Sequence, residues 1–491
     1  MPFGVNKAAL FGSGGSGESG WVVEPTSSGW GTTDRWVYSI APDADNNVWG
    51  ILIGTSNNNF PLFQVLADGT AGAANNWKEM SNAQSGSSSD ARDVIYTGSG
   101  GSYSDCVVAS GAMTRSNSIY SIVNSKHTPG TLVQDWDNGV SNSNGSYNNF
   151  AYTGCSVHKP GENHFYVTYY WYDWSQSRYS PALQRISLAD GSQQVITGGY
   201  DTSFYFYRNY GETWYPTHPF ITDDSSGNQW VFMALRSANS AFTGFAGIRP
   251  QESSGTTQFR YMYQISSGTN SGYSGGLAEA SSTHMYFTSG CPATNTLHLL
   301  KVNKTTGAID WQRRISPSNN SGVTSVCNPV VDSSGNVYVA WSQYDTNNIV
   351  DTAYRVHWAM YNSSGTLQTV NGSQMRSLFV SPGHGDACYA TKMALSSDDN
   401  FLYICGRVDN PGNGFIAKLP TDGSGTGTSS LSGNTDSTYY YRDDIPVSET
   451  AGNYTEAGQI GVPNSFSSYQ MTNPVNNATA VTPIILSDEL H

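Results

Sequence analysis

A turn rich in Asp, Ser, Gly and Asn recurs seven times before a β-branched or aromatic strand, a second Gly-closed turn follows, and helical periodicity is missing. These observations predict an all-β chain, a seven-bladed β-propeller of four-stranded antiparallel blades with extended N- and C-terminal arms. Of the 491 residues only 12% are charged, and about a third are Ser, Thr, Asn or Gln. An aromatic content of 13% is far too high for a disordered polar polymer. Tyr and Trp suit half-buried pleated strands, and nothing repeats at the spacing of a helical bundle.

The N-terminal arm, residues 1–33, is Gly- and Ser-rich and holds one strand-like word, Trp21-Val22-Val23. That word is expected to supply the outer strand of the last blade and close the ring, because Ser424-Gly425-Thr426-Gly427-Thr428 is a poor strand.

The propeller spans residues 34–428. Its clearest repeat words are Asp332-Ser333-Ser334-Gly335-Asn336 before Val337-Tyr338-Val339, and Asp223-Asp224-Ser225-Ser226-Gly227-Asn228 before Gln229-Trp230-Val231. The turns end at Asn47, Ser104, Asn163, Asn228, Thr283, Asn336 and Asn400, which lie 53 to 65 residues apart, about 59 on average. A strand and a tight turn follow each, as in Val65-Leu66-Ala67-Asp68-Gly69 and Val302-Asn303-Lys304-Thr305-Thr306-Gly307. Gly supplies the positive φ of such turns, and the Asp, Asn or Ser before it caps the backbone. A lone sheet this polar buries too little apolar surface, whereas blades stacked in a ring bury both faces.

The C-terminal arm, residues 429–491, has no landmark turn and carries the apolar trio Ile484, Ile485 and Leu486. An extended arm with such a trio is expected to make assembly contacts across a neighbour. Within the ring, the run Tyr169, Tyr170, Trp171, Tyr172 and Trp174 is too aromatic for one face of a strand. Its surplus rings are a candidate exposed patch for a glycan or a protein.

A net charge of −14 without a basic run argues against nucleic acid or an anionic membrane as partner, and no apolar stretch approaches spanning length. The start, from Met1, lacks the charged and apolar segments of an export signal, so secretion by the general route is not expected. Cys106, Cys155, Cys291, Cys327, Cys388 and Cys405 lie far apart, which reads as reduced thiols in strands. Asp43, Asp45 and Asn47 resemble part of a calcium loop but lack the distal Glu, so turn chemistry is the expectation, as it is for Asp223-Asp224 and Asp398-Asp399. Tyr207 to Trp214 is one degenerate copy of the Asp-box turn of sialidase-like propellers, without the arginine cluster a carboxylate substrate needs. His384 and Asp386 beside Cys388 read as a loop next to a buried strand thiol. No catalytic residue, metal or cofactor is expected.

Two resemblances follow. Val302 to Gln312, with its Thr-Thr-Gly turn and Trp311 shortly after, resembles the repeat of quinoprotein-type propellers, in which a Trp locks neighbouring blades; Trp77 and Trp136 are relaxed versions. That family's enzymes would imply pyrroloquinoline quinone, calcium and eight blades. Seven blades are counted here and the adjacent-cysteine signature is absent, so the likeness bears on fold. More broadly, Asn6-Lys7-Ala8-Ala9-Leu10-Phe11-Gly12, the Asp-Ser-Ser-Gly-Asn-Val-Tyr-Val words and the ending Gly414 to Ser424 resemble propeller-containing structural proteins of marine tailed bacteriophages, including cyanophages. This implies a non-enzymatic virion component of the tail, a fibre or the capsid exterior, made in the host cytoplasm. Its implied partners are other virion proteins, further copies of itself and a host surface glycan. The alternatives are a secreted or surface carbohydrate-binding adhesin and a propeller enzyme, sialidase-like or quinoprotein.

Overall fold

The computed structural model describes residues 4–10, 20–26, 36–53, 60–77, 89–115, 119–129, 134–141, 150–173, 178–194, 203–205, 214–237, 242–250, 258–265, 273–291, 296–317, 321–345, 353–370, 375–381, 387–409, 414–423, 438–442, 447–451 and 454–459. They form seven antiparallel sheets arranged as a seven-bladed propeller. Among the described residues there is no helix, hence none long and apolar enough to cross a membrane.

From the channel outward, blade 1 is Trp36–Pro42, Val48–Ile53, Phe60–Val65 and Ala71–Trp77, and blade 2 is Ser89–Tyr96, Val107–Arg115, Ile119–His127 and Gln134–Ser141. Blade 3 is Phe150–His158, His164–Asp173 and Arg178–Ser187, with the short outer pieces Gln193–Gln194 and Ser203–Tyr205. Blade 4 is Trp214–Asp223, Gln229–Ser237, Phe242–Ile248 and Gln258–Ile265; blade 5 is Tyr273–Glu279, His284–Cys291, Thr296–Asn303 and Ile309–Pro317. In blade 6 the inner strand is split into Ser321–Val326 and Val330–Val331, followed by Val337–Asp345, Ala353–Tyr361 and Arg376–Ser381. Blade 7 takes Cys388–Leu395, Phe401–Val408 and Gly414–Pro420 from one end of the chain and Trp21–Thr26 from the other.

Trp21 stands opposite Lys418 and Val23 opposite Ile416, so an N-terminal strand completes the last blade. Seven apolar clusters fill the seven seams. Trp230, Phe232 and Ala234 of blade 4 meet Met285, Phe287 and Leu300 of blade 5, for example, and Val22 helps join blade 7 to blade 6. Trp21 and Val23 close the seam between blades 7 and 1 with Val37, Leu52 and Phe63. Successive side chains of one strand thus feed the two seams on either side of it.

The turns follow the expected chemistry. The Asp224 carboxylate accepts the backbone N–H of Ser226 and Asn228, both at 2.9 Å, and the Trp230 indole N–H at 3.2 Å. Burial works against that anion, but the Asn228 and Trp230 hydrogen bonds hold its pKa at about 2. Asp43 repeats the pattern with Asp45, Asn47 and Trp49, so its oxygens are occupied by its own turn. Cys155, Cys327, Cys388 and Cys405 are buried free thiols, and Cys106 is a half-buried one.

Tryptophans stitch three seams. Trp21 donates its indole N–H to Ala67 O, Trp136 to Leu188 O, and Trp311 to Ser363 O, each at the Gly-closed turn of the next blade. Gly365, at φ +75°, has no room for a side chain, since a Cβ there would lie 2.8 Å from the Trp311 ring. Between blades 6 and 7 an arginine takes this place, Arg376 donating to Gly423 O at 2.9 Å. Trp77 stands opposite Phe60, at the end of its strand far from the Gly69 turn.

The described parts of the C-terminal arm, Thr438–Arg442, Val447–Ala451 and Tyr454–Gln459, pair antiparallel with the outer strands of this chain's own blades 6, 5 and 4. The physical reason is that those strand edges carry unpaired N–H and C=O groups that any adjacent extended segment satisfies. Ile484, Ile485 and Leu486 lie outside the described residues.

Truncating Trp21 removes a fully buried indole from the closing seam. Trp21→Ala is expected to destabilise the ring by about 3–5 kcal/mol in urea unfolding, and an unchanged midpoint would dismiss the closing role of that strand.

Candidate functional site

Two polar assemblies, one in the central channel and one at its rim, are the candidates. The first strands of the blades line the channel. Every one of them carries a register shift, for example between Val37 and Ser39, Ala91 and Asp93, and Ala390 and Lys392. A bulge bends the strand and re-aims the side chains that follow it.

Those side chains meet in the channel. Lys392 of blade 7 donates to Asp93 of blade 2 at 2.7 Å and to Ser39 of blade 1 at 2.9 Å. The Asp93 carboxylate, fully buried, also accepts the Ser39 hydroxyl and the Ser156 backbone N–H. Ser156 continues through Ser110 to Asn124 by hydroxyl bonds of 2.7 and 2.8 Å. Burial acts to lower the Lys392 pKa, but the Asp93 carboxylate more than offsets it and holds it above the ordinary value. Further round, His218 meets Gly275 O at 3.1 Å, and Asn328 exchanges two hydrogen bonds with the Met393 backbone.

Among the described residues, Asn124 Nδ2 and His218 Nε2 are buried in this wall without a hydrogen-bond partner. Asp93 has its oxygens engaged, and burial pushes the Cys155 thiol far up and the Cys405 thiol to about 12, so both stay protonated and non-nucleophilic. The arrangement joins blades 7, 1, 2 and 3 through side chains that meet in the channel. Sequence reasoning missed it because its partners are 299 residues apart; the available signal was two charged residues inside strands of a chain poor in charge.

The second assembly sits on the opposite face from the Asp and Gly turns, where the first strands begin and the long connections lie. Tyr344 and Tyr354 of blade 6 meet edge to face with centroids 5.2 Å apart, and Tyr354 lies 5.3 Å from Tyr389 of blade 7. The Arg407 guanidinium lies 4.7 Å from the Tyr389 ring and 3.7 Å from that of Trp36 in blade 1, and pairs with Asp409 at 3.2 Å. Arg92 of blade 2 covers Tyr38 and donates to its hydroxyl at 3.1 Å. Burial and then the Asp409 carboxylate push the Tyr389 phenol up to about 12. All of these rings are half-buried, so a curved band of aromatic and guanidinium surface crosses blades 6, 7, 1 and 2. Such a band can stack on a sugar or an apolar side chain and hydrogen-bond at its margins.

The aromatic run singled out from sequence behaves differently. Tyr169 is fully buried between blades 2 and 3 with Val108, Ile122 and Phe165, so it is not part of an exposed patch. Its place at an inward position of a strand buried on both faces is the reason. Tyr170 is half-buried. Trp171 and Tyr172 stand opposite Ser180 and Tyr179 in the same sheet. Trp174, His384 and Asp386 lie outside the described residues.

No family model matches the chain, and no curated protein matches it. Solved structures of similar shape include an α-L-arabinofuranosidase of Fusarium graminearum, 8% identical with a TM-score of 0.40 over 63% of this chain and 88% of that one. They also include a Trypanosoma rangeli sialidase, 12% identical, TM-score 0.37, over 78% and 60% of the chains. A third is the WD40 domain of SCAP from fission yeast, 10% identical, TM-score 0.34, over 83% and 88%. Enzymes and a WD40 domain stand side by side here, so the likeness concerns the propeller fold, does not support the expectation of a non-enzymatic chain, and carries no activity across. None of these three is a phage protein.

Removing one partner of a buried pair strands the other charge. Asp93→Asn is expected to cost about 3–5 kcal/mol of stability, with Asp93→Leu combined with Lys392→Met recovering most of it; equal losses in both variants would contradict the pairing. A pH dependence follows from three histidines. Burial holds the pKa of His164 and His357 at about 3 and of His218 at about 4, helped by Arg185, Arg355 and Lys392 respectively. Unfolded histidine titrates near 6.5, so below that pH the unfolded chain binds more protons. The stability due to these groups is full above pH 6.5 and lost as pH falls towards 4. Urea midpoints should drop across that window and drop less in His164→Asn, whereas a flat profile would contradict the neutral buried histidines.

Proposed function

We propose that the chain is a non-enzymatic attachment and structural component of a phage particle, a rigid ring that meets a host surface glycan on its long-loop face. Its other partners are virion proteins and further copies of the chain, and its place is the virion after synthesis in the host cytoplasm. The observation that carries the ligand is the half-buried band of Trp36, Tyr38, Tyr354, Tyr389, Arg92 and Arg407 across blades 6, 7, 1 and 2. Rigidity supports it, because rings held by cation–π contacts lose little freedom when a ligand stacks on them. The particle itself is supported by the resemblance of the repeat words to phage propellers.

Two measurements test the reading. On a glycan array the intact chain should bind a saccharide class, and Tyr354→Ala or Arg407→Ala should weaken that binding roughly ten-fold without unfolding the ring. A blank array, or binding indifferent to both changes, removes the glycan. Mass spectrometry of purified particles should find the chain in stoichiometric amount, and its absence there removes the virion.

A further inference from the structure

The aromatic band is not uniform along its length, and in blade 7 it sets a donor beside an acceptor. Arg407 lies near the end of Phe401–Val408 and Asp409 just beyond it. The Arg407 guanidinium rests against the Trp36 and Tyr389 rings, and its Nη2 meets the Asp409 carboxylate at 3.2 Å. Among the described residues Asp409 is the one ionic partner of that guanidinium, and the Nε–H is buried without an acceptor. Arginine has five N–H donors, so most of this fork is unused.

The carboxylate has capacity to spare as well. It accepts from Arg407 and from the Tyr389 hydroxyl, whereas an ionised carboxylate offers about four lone-pair sites. The two side chains keep 25% and 41% of their surface exposed, so unused donors and unused acceptors both reach solvent. Tyr389 links this edge to the rings. It lies 5.3 Å from Tyr354, which meets Tyr344 edge to face at 5.2 Å. A ring platform and an edge of mixed polarity therefore adjoin across the seam between blades 6 and 7.

Candidate ligands part at that edge. A carboxylate or sulfate gains Arg407 but stands against the Asp409 anion, and like charges in contact are costly. An apolar side chain covers the rings and leaves Arg407 and Asp409 desolvated without partners. A pyranose has an apolar face of C–H groups and a rim of hydroxyls, each of which donates and accepts. With its face on Tyr354, one hydroxyl donates to Asp409 and its neighbour on the adjacent carbon accepts from Arg407.

We propose that the ligand of the band is an uncharged saccharide, held through a vicinal diol at Arg407 and Asp409. This rests on the glycan reading above and narrows it to one class, leaving out sialylated, uronic and sulfated sugars.

Binding of the full chain to arrayed neutral and acidic glycans tests the class. Neutral hexose glycans should bind, with an affinity constant to within about two-fold between ~0.05 and ~0.5 M salt, because the ligand carries no charge to screen. Asp409→Asn exchanges a charged acceptor for a neutral amide and should weaken that binding roughly ten-fold, whereas it would strengthen the binding of an anion by removing a repulsion. A competition on the parent chain stands whatever the variant does: a methyl hexopyranoside should displace the arrayed glycan, and its fully O-methylated form, which has no hydroxyl to donate, should not. Preference for acidic glycans, tighter binding in Asp409→Asn, or equal competition by the O-methylated sugar overturns the proposal and leaves a glycan on the band. A blank array removes the glycan reading itself, and this inference with it.

Discussion

Closure of the ring rests on one antiparallel pairing, Trp21–Thr26 against Gly414–Pro420. Without it blade 7 would have three strands and two of the seven seams would lose their filling, because Val22 packs towards blade 6 while Trp21 and Val23 pack towards blade 1. A ring of sheets has no cheap place to be open: an unfinished blade exposes an edge and half a seam at once. Chain ends some 400 residues apart are thereby made mutually dependent, which turns a repeat array into one cooperative body.

Ring closure also separates the two faces. On one, the short Asp and Gly turns are saturated by their own backbone bonds and by the Trp and Arg side chains of the preceding blade, leaving little to vary. On the other lies the half-buried band from Tyr344 to Arg92, held by ring contacts and by the Arg92 and Arg407 guanidinium groups. Rigid strands beneath variable connections are the usual division between scaffold and recognition surface. The bulges in the first strands have their own effect, bringing Ser39, Asp93 and Lys392 of three blades into contact across the channel wall.

How much of this was legible in the sequence depended on distance along the chain. The turns were, since Asp224, Asn228 and Trp230 act within six residues of one another. Blade number was legible for the same reason, and so was the closing strand, through the contrast between Trp21-Val22-Val23 and the Gly-rich stretch after Gly423. The Asp93–Lys392 pair was not, because no local pattern announces a partner across the ring, and neither was the aromatic band, assembled from one or two residues of each of four blades. Tyr169 was misjudged because counting rings in one strand ignores that a blade interior buries both its faces. The pairing of the arm's described strands with the chain's own blades was not legible either, because sequence alone does not say which edge an extended segment meets.

The scarcity of charge sharpens the meaning of where charges fall. Lys159 with Asp223 ties blade 3 to 4, Lys304 with Thr222 ties 5 to 4, and Lys418 with Ala67 O ties 7 to 1. The part-exposed Lys159–Asp223 pair contributes about 1 kcal/mol or less, whereas Lys304 and Lys418 are buried, where an ammonium needs the partner that the neighbouring blade supplies. The Asp93–Lys392 pair is different, since removing both charges from water costs about as much as their attraction returns. Its effect is on which ring forms. Seven similar blades can in principle stack out of order or close at another number. Asp93 in blade 2 and Lys392 in blade 7 reach each other only when blade 1, with Ser39, stands between them. Any other closure leaves a carboxylate and an ammonium buried apart, a penalty of several kcal/mol that the correct ring alone avoids.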